Sequence, residues 1–329
     1  MNALPAQKVT VLILSDIHYA AAGERARGSD FELAPIKKPL VRFLAGILRH
    51  YFWMRDPLAR SPQLQVFLDK AKPADLVVVN GDYTIDSGFI GLTDPACLES
   101  AVECIGRLRG QFGNRLHLVI GDHELGKKTM FSDLGNMRLA SWHAVTGTLG
   151  IKPLWQLAVG NYVLLSVTSS LIALPAHQVD VLPDELAEWQ RLRAEHLAEI
   201  RTVFEALKPS QRVILFCHDP TALPFLGQEE CIQRRLPQIE QTVIGHLHTG
   251  LILLKCQALA GMPVIKALGP AFHKMSAALN QAKAWRPFKP RLCPALAGIE
   301  LLNDGGYLTV ELDPAAKRPA AFTFHPLPR

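Results

Sequence analysis

Val9-Thr10-Val11-Leu12-Ile13-Leu14-Ser15-Asp16-Ile17-His18 decides the fold: a short, largely apolar run leads straight into an Asp-x-His patch. Such a run predicts a strand that stops where the polar residues begin. The same pattern recurs four times. Leu76–Val79 precedes Gly81-Asp82, and Leu116–Ile120 precedes Gly121-Asp122-His123-Glu124. Val213–Phe216 precedes Cys217-His218-Asp219, and Thr242–Ile244 precedes Gly245-His246-Leu247-His248. Asp and His are the oxygen and nitrogen ligands of borderline-hard divalent metals. Strands that end together in a sheet would carry all five patches to one edge, where they could hold two ions side by side.

Helical patterns alternate with these strands, so the class is α/β. Gln63–Lys72 reads as helical, and Pro95–Arg109 carries Leu98, Val102, Ile105 and Leu108 at helical spacing. The clearest helix runs from about Pro183 to Leu207, with Asp184 and Glu185 at its positive end and Leu186, Trp189, Leu197, Ile200 and Phe204 as its buried stripe. Tyr162–Val167 is a further strand. The closing third predicts strands at Pro263–Ala267, Gly298–Leu302, Tyr307–Leu312 and Ala320–Phe324, with Asn303-Asp304-Gly305-Gly306 as a hairpin turn. Two β layers with helices outside are expected. No Pro/Gly/Ser linker divides the chain, so residues 1–329 read as one domain with insertions.

The first insertion spans about Phe31 to Pro62. There Leu40, Phe43, Leu44, Ile47, Leu48, Tyr51, Phe52, Trp53 and Met54 lie among basic residues, the pattern of a basic amphipathic helix with an aromatic end. Core packing explains most such stripes; a cap over the site or a foot on a membrane surface is the sharper reading. A second basic region, about 270–293, holds Lys274 and Arg286, and no Asp or Glu occurs between Gln241 and Ile299. Solvated faces account for such charge as well as a surface for an anionic substrate or lipid does. The net charge of +5 is mild. Met1–Gln7 has no apolar core and does not read as a signal peptide. No run is long and apolar enough to span a bilayer. The six scattered cysteines, without a CxxC pair, read as reduced. These features suggest a cytosolic protein, or one peripheral at the inner face of a membrane.

Single histidines are more often structural than functional, and His50, His117, His143, His177, His196 and His325 are set aside on that ground. His246 and His248 flank one residue just after a strand, an extended spacing that puts both side chains on one side; Asp16 and His18 repeat it. In order, DxH, GD, GDHE, H and GHxH resemble the calcineurin-like metallophosphoesterase superfamily over about Val9 to Gly250. The resemblance implies a four-layer αββα sandwich with two central mixed β-sheets and a dinuclear metal site at the sheet edge. It implies Asp16, His18 and His248 as ligands of one ion, Asp122, His218 and His246 of the other, and Asp82 bridging both. It also makes His123 the general acid beside the leaving group. Paired cations acidify water and stabilise charge on phosphoryl oxygens, and imidazole titrates near neutrality. Glu124 or Asp219 is expected to orient an imidazole.

The family usually has Asn where this chain has Asp122. A carboxylate still binds such metals and favours a harder ion, so manganese is expected first, with Fe, Zn or Mg as alternatives. Tyr83-Thr84-Ile85-Asp86 is also unusual for the second patch. The expected activity is hydrolysis of a phosphoester or pyrophosphate bond. The insertion and the acid-free stretch suit an amphipathic substrate, and in character this is similar to superfamily enzymes that split the pyrophosphate of UDP-2,3-diacylglucosamine. The rivals are a soluble phosphodiesterase or phosphomonoesterase and a non-catalytic binding module with the same fold. A nucleic-acid substrate is disfavoured, because aromatics do not interleave the basic charge. Arg138, Lys274 and Arg286 are the candidate substrate contacts. Lys127 and Lys128 read equally as phosphate ligands or solvated cations.

Overall fold

The chain is described here from a computed structural model over residues 8–129, 134–265 and 270–328. Ten strands are described: β1 Val9–Leu14, β2 Leu76–Val79, β3 Leu116–Leu118, β4 Trp155–Val159, β5 Tyr162–Val167, β6 Arg212–Cys217, β7 Ile239–Ile244, β8 Pro290–Leu292, β9 Gly306–Leu312 and β10 Ala321–Pro326. They form two five-stranded sheets, ordered β10-β9-β1-β2-β3 and β4-β5-β6-β7-β8. Both are mixed. β1, β2 and β3 run parallel, with β9 antiparallel beside β1 and β10 antiparallel to β9. β5 to β8 run parallel, with β4 antiparallel at the edge.

Alternation along each strand builds the layers. Val11, Ile13 and Val78 of the first sheet meet Leu164, Ile214, Phe216 and Val243 of the second in one core between the sheets. Leu12, Leu14, Val77 and Val79 point the other way, against Phe67 of the Pro62–Lys70 helix and Ile105 and Leu108 of the Pro95–Phe112 helix. Val163, Leu165, Val213 and Leu215 likewise pack outward on Leu197, Ile200 and Phe204 of the Leu186–Glu205 helix. The result is helix, sheet, sheet, helix. That last helix starts at Leu186 rather than Pro183, with Pro183 to Glu185 in the approach to it.

The closing third departs from its reading in two places. Gly298–Leu302 is a turn region and not a strand, so Asn303-Asp304-Gly305-Gly306 turns no hairpin. The reason is a competing partner. Glu300 N donates to Trp53 O at 2.7 Å, and the Arg60 guanidinium holds the Glu300 carboxylate, so this segment is tied to the insertion. β9 instead pairs with β1 and β10. Pro263 to Ile265 is irregular, and Lys266 and Ala267 lie outside the described residues, as does Met1–Gln7.

The insertion forms a helix, Pro39–Tyr51, that is turned inside out. Ala45 and Arg49 face inward, whereas Leu40, Phe43, Leu44, Leu48 and Tyr51 are each 51–69% exposed. Arginines pin the inner side: Arg49 donates to Ser29 O, and Arg42 donates to Leu33 O and Ala34 O at 3.0 and 2.7 Å. Core packing therefore does not account for the helical part of this stripe, although Met54 at its end is buried. Backbone carbonyls of the 29–34 loop need donors, and arginines on one face of the helix supply them, which rotates the apolar face outward.

Candidate metal centre

The loops that follow β1, β2, β3, β6 and β7 meet at one edge, held by backbone bonds. Asp16 N donates to Gly81 O and His18 N to Asp82 O, both at 3.1 Å, while Gly245 N donates to His218 O at 2.9 Å. A bridge between Ser15 and Ala295 joins the two sheets there. Gly245 is required by close approach: a Cβ would lie 2.1 Å from Ser15 Oγ and 2.5 Å from Asp16 Oδ2.

Asp16, His18, Asp82, His246 and His248 all lie in the left-handed region, with φ of 52°, 49°, 60°, 58° and 60°. Each costs on the order of 1–2 kcal/mol for a residue with a Cβ. The extended spacing expected for His246 and His248 is thus corrected. Leu247 N donates to Gly245 O at 2.5 Å and Thr249 N to Leu247 O at 2.7 Å, two tight turns in succession. The imidazoles consequently diverge. His246 Nδ1 lies 2.9 Å from Asp122 Oδ1, and His248 Nε2 lies 3.4 Å from Asp16 Oδ1.

Three overlapping clusters result, each with its ligand atoms within 4.8 Å of one another: Asp82, Asp122, His218 and His246; Asp16, His18 and His248; and His18, Asp82 and His123. Asp82 sits between them. Its Oδ2 is 3.1 Å from His218 Nε2, 3.7 Å from His123 Nε2 and 3.9 Å from His18 Nε2. That oxygen is fully buried and makes no aligned hydrogen bond. An orphaned buried carboxylate oxygen amid imidazoles fits a bound cation, because an unpaired charge is otherwise costly to bury. The donor set, three carboxylates and five imidazoles with His123 at its margin, suits a pair of divalent ions.

Backbone carbonyls orient most of the imidazoles. The ring nitrogens opposite the clusters lie on carbonyls: His218 Nδ1 2.5 Å from Asn80 O, His123 Nδ1 2.6 Å from Ile85 O, and His18 Nδ1 3.3 Å from Thr84 O. Such outer partners set the tautomer that presents Nε2. Glu124, expected to orient an imidazole, instead accepts from the backbone N–H groups of Gly121, Asp82 and Tyr83 at 2.9, 3.1 and 2.7 Å, cross-bracing two of the loops. Asp219 does meet an imidazole, His177, at 3.3 Å. His177 stands alone in the sequence, and nothing local marks it. Trp53 belongs to the insertion, yet its ring lies against His248 at 4.8 Å between centroids, tilted by 33°. Lys127, left undecided, lies 2.6 Å from Asp122 Oδ2 and 2.7 Å from His123 Nε2.

Of the candidate substrate residues, Arg138 and Arg286 form no hydrogen bond or ion pair with a candidate ligand among the described residues. Arg138 N donates to Leu125 O at 3.1 Å, but its side chain makes no contact with a candidate ligand among the described residues. Arg286 is exposed on the Ala282–Phe288 segment, whose Trp285 and Phe288 pack on the outer face of the second sheet. Lys274 falls on the Pro270–Gln281 helix, with its side chain outside the described residues.

A calcineurin-like phosphoesterase family model matches residues 9–250, well over half of the chain and all five loops. The chain belongs to this family. It is therefore a metallophosphoesterase, a phosphoester hydrolase of a family that depends on dinuclear metal sites, and it carries candidate ligands for one. Similar solved structures include a dimetal phosphatase from Danio rerio, at 11% identity and a TM-score of 0.47 over 97% of this chain and 96% of that one. A phosphopantetheinyl hydrolase from Mycobacterium tuberculosis is 14% identical, with a TM-score of 0.36 over 74% and 84% of the two chains. A purple acid phosphatase from yellow lupin (Lupinus luteus) is 12% identical, with a TM-score of 0.36 over 74% and 39%. No functionally curated protein sequence matches the chain.

The phosphoesterase's own groups set its charge before any ion enters. Burial pushes the Asp82 carboxyl up and Asp122 adds to this, but His218 and His123 outweigh both and hold it well below the carboxylate range. Burial lowers His246, yet Asp122 and Asp219 raise it to about 9. Burial, with Lys127 adding to it, lowers His123 to about 3. His246 is thus protonated at pH 7, and a metal must displace that proton to use the ring. Metal affinity is expected to rise with pH until about 9. Titration calorimetry at pH 7, in buffers of differing ionisation enthalpy, should show about one or more protons released per protein. Release of none would contradict the assignment of His246 to the metal cluster.

Proposed function

We propose that this phosphoesterase cleaves a phosphoester or pyrophosphate bond in an amphipathic substrate, with the phosphorylated head at the paired clusters and the apolar part against a membrane surface. UDP-2,3-diacylglucosamine has this form. The observation that carries the reading is Trp53. The inverted Pro39–Tyr51 helix runs into it, so one continuous segment presents an outward apolar face and an aromatic ring in tilted contact with the candidate ligand His248. Phe52 and Leu301, joined by a backbone bond, extend the exposed apolar surface beside the ring. Lys37 and Lys38, both exposed at the start of the helix, add charge that favours an anionic leaflet. Among the described residues no helix is long and apolar enough to cross a membrane, so attachment would be peripheral.

Two bound divalent ions, with manganese favoured by the carboxylate-rich donor set, would supply Lewis-acid charge for the phosphoryl oxygens and acidify water. The chain's own residues do the rest. Asp16, His18 and His248 would hold one ion and Asp122, His218 and His246 the other, with Asp82 between. His123 Nε2 faces the cluster beside Asp82; burial and Lys127 keep the free ring neutral, so it would act as general acid only once a bound anionic phosphoryl group raises its proton affinity. Metal-stripped protein reloaded with Mn²⁺ would be given a diacylated nucleotide sugar, a cyclic nucleotide and a phosphomonoester. Preference for the first by at least about tenfold in kcat/KM is expected, and loss of all turnover with chelator. Equal or better turnover of the soluble pair would favour a small-molecule phosphodiesterase or phosphomonoesterase instead.

A further inference from the structure

Asp122 is held in an unequal way. Its Oδ1 faces the cluster, 3.1 Å from His218 Nε2 and 2.9 Å from His246 Nδ1. Its Oδ2 is taken up by the Lys127 ammonium at 2.6 Å. The same ammonium lies 2.7 Å from His123 Nε2, whose ring is fixed from the other side by Ile85 O. Lys127 is five residues beyond Asp122 on a loop that Gly126, at φ +87°, turns back toward the site. A Cβ on Gly126 would lie 2.5 Å from Asn136 O and 2.7 Å from the Ile90 carbonyl carbon, so the loop closes only with glycine there.

We propose that Lys127 is a positioning residue of the metal centre: it occupies Asp122 Oδ2 so that Oδ1 alone serves the His218–His246 cluster, and it cancels the charge of the third carboxylate. A cluster with three carboxylates carries one more negative charge than one with two. That charge would tighten metal binding but reduce the attraction of the loaded site for an anionic phosphoryl group. Lys127 removes this excess at contact distance. It also keeps the carboxylate from turning both oxygens to one ion.

The inference rests on Asp122 as a metal ligand, and its signature is a pair of opposite effects. In the metal-stripped protein, Lys127→Met is expected to bind Mn²⁺ about tenfold more tightly, because the competing ammonium is gone. Asp122→Asn should bind about tenfold more weakly. The double variant should fall within about threefold of wild type, and Lys127→Arg should match it. Calorimetric titration with Mn²⁺ measures all four, and circular dichroism shows whether each is folded. Lys127→Gln stands in if Lys127→Met does not fold. Weaker Mn²⁺ binding by folded Lys127→Met or Lys127→Gln would mean that Lys127 merely props the loop, and would overturn the proposal. A wild type that takes up no metal would sink the metal-site reading itself, a distinguishable result.

Discussion

Asp82→Ala is expected to abolish hydrolysis of a chromogenic phosphodiester and to leave fewer than two metal ions per protein. Asp82 is the one carboxylate common to two of the three clusters, is fully buried, and carries an oxygen with no aligned hydrogen bond. Its removal leaves His218 without one of the carboxylates that hold its proton. It also takes an anion from the point where the clusters meet, so ions on either side would repel without a shared counter-charge. A loss of at least about 10³ in kcat follows, equivalent to about 4 kcal/mol of transition-state stabilisation. Asp82 Oδ1 also accepts from His123 N at 3.1 Å, so the alanine variant loosens the third loop as well. Asp82→Asn keeps that acceptor and isolates the charge. Elemental analysis with single-substrate kinetics decides the matter: two ions and near-native turnover in Asp82→Asn would remove Asp82 from the centre of the site.

Phe43→Glu combined with Leu44→Glu is expected to reduce binding to phosphatidylethanolamine–phosphatidylglycerol vesicles by at least about tenfold while leaving turnover of a soluble phosphodiester unchanged. Both side chains are more than half exposed, so neither supports the core, and the thermal midpoint should stay put. Burying one Phe or Leu contributes about 1.5–3 kcal/mol, and 1.4 kcal/mol corresponds to tenfold. Placing two carboxylates against an anionic leaflet adds repulsion. Charge reversal at Lys37 and Lys38 gives an independent arm. Arg42 is unsuitable for it, because its guanidinium is committed to Leu33 O and Ala34 O. Co-sedimentation unchanged by all four substitutions would leave the exposed face without a membrane role.

Much of the fold is legible along the chain because its signals are local. Each ligand loop follows a short apolar strand, and the strand ends fall within a residue or two of where the apolar runs stop. The patches that misled were those whose partners lie far away in sequence. Gly298–Leu302 has strand-like composition, but Trp53 O and Arg60 claim Glu300 and hold the segment out of the sheet. Arg286 lies in a basic stretch whose Trp285 and Phe288 are anchored in the core on the outer face of the second sheet, a placement its charge does not announce. Charge on a sequence has no direction until packing supplies one.

Ligand chemistry, the ends of the ligand-bearing strands and family were legible in the amino-acid sequence alone, since donor type is a property of the side chain and a strand's end is a property of its neighbours. The three-dimensional arrangement alone decided three things: that His246 and His248 part company, that Lys127 sits on Asp122, and that the helix from Pro39 to Tyr51 shows its oily side to the outside. Each depends on a backbone torsion or a contact between distant segments, which one-dimensional spacing does not encode.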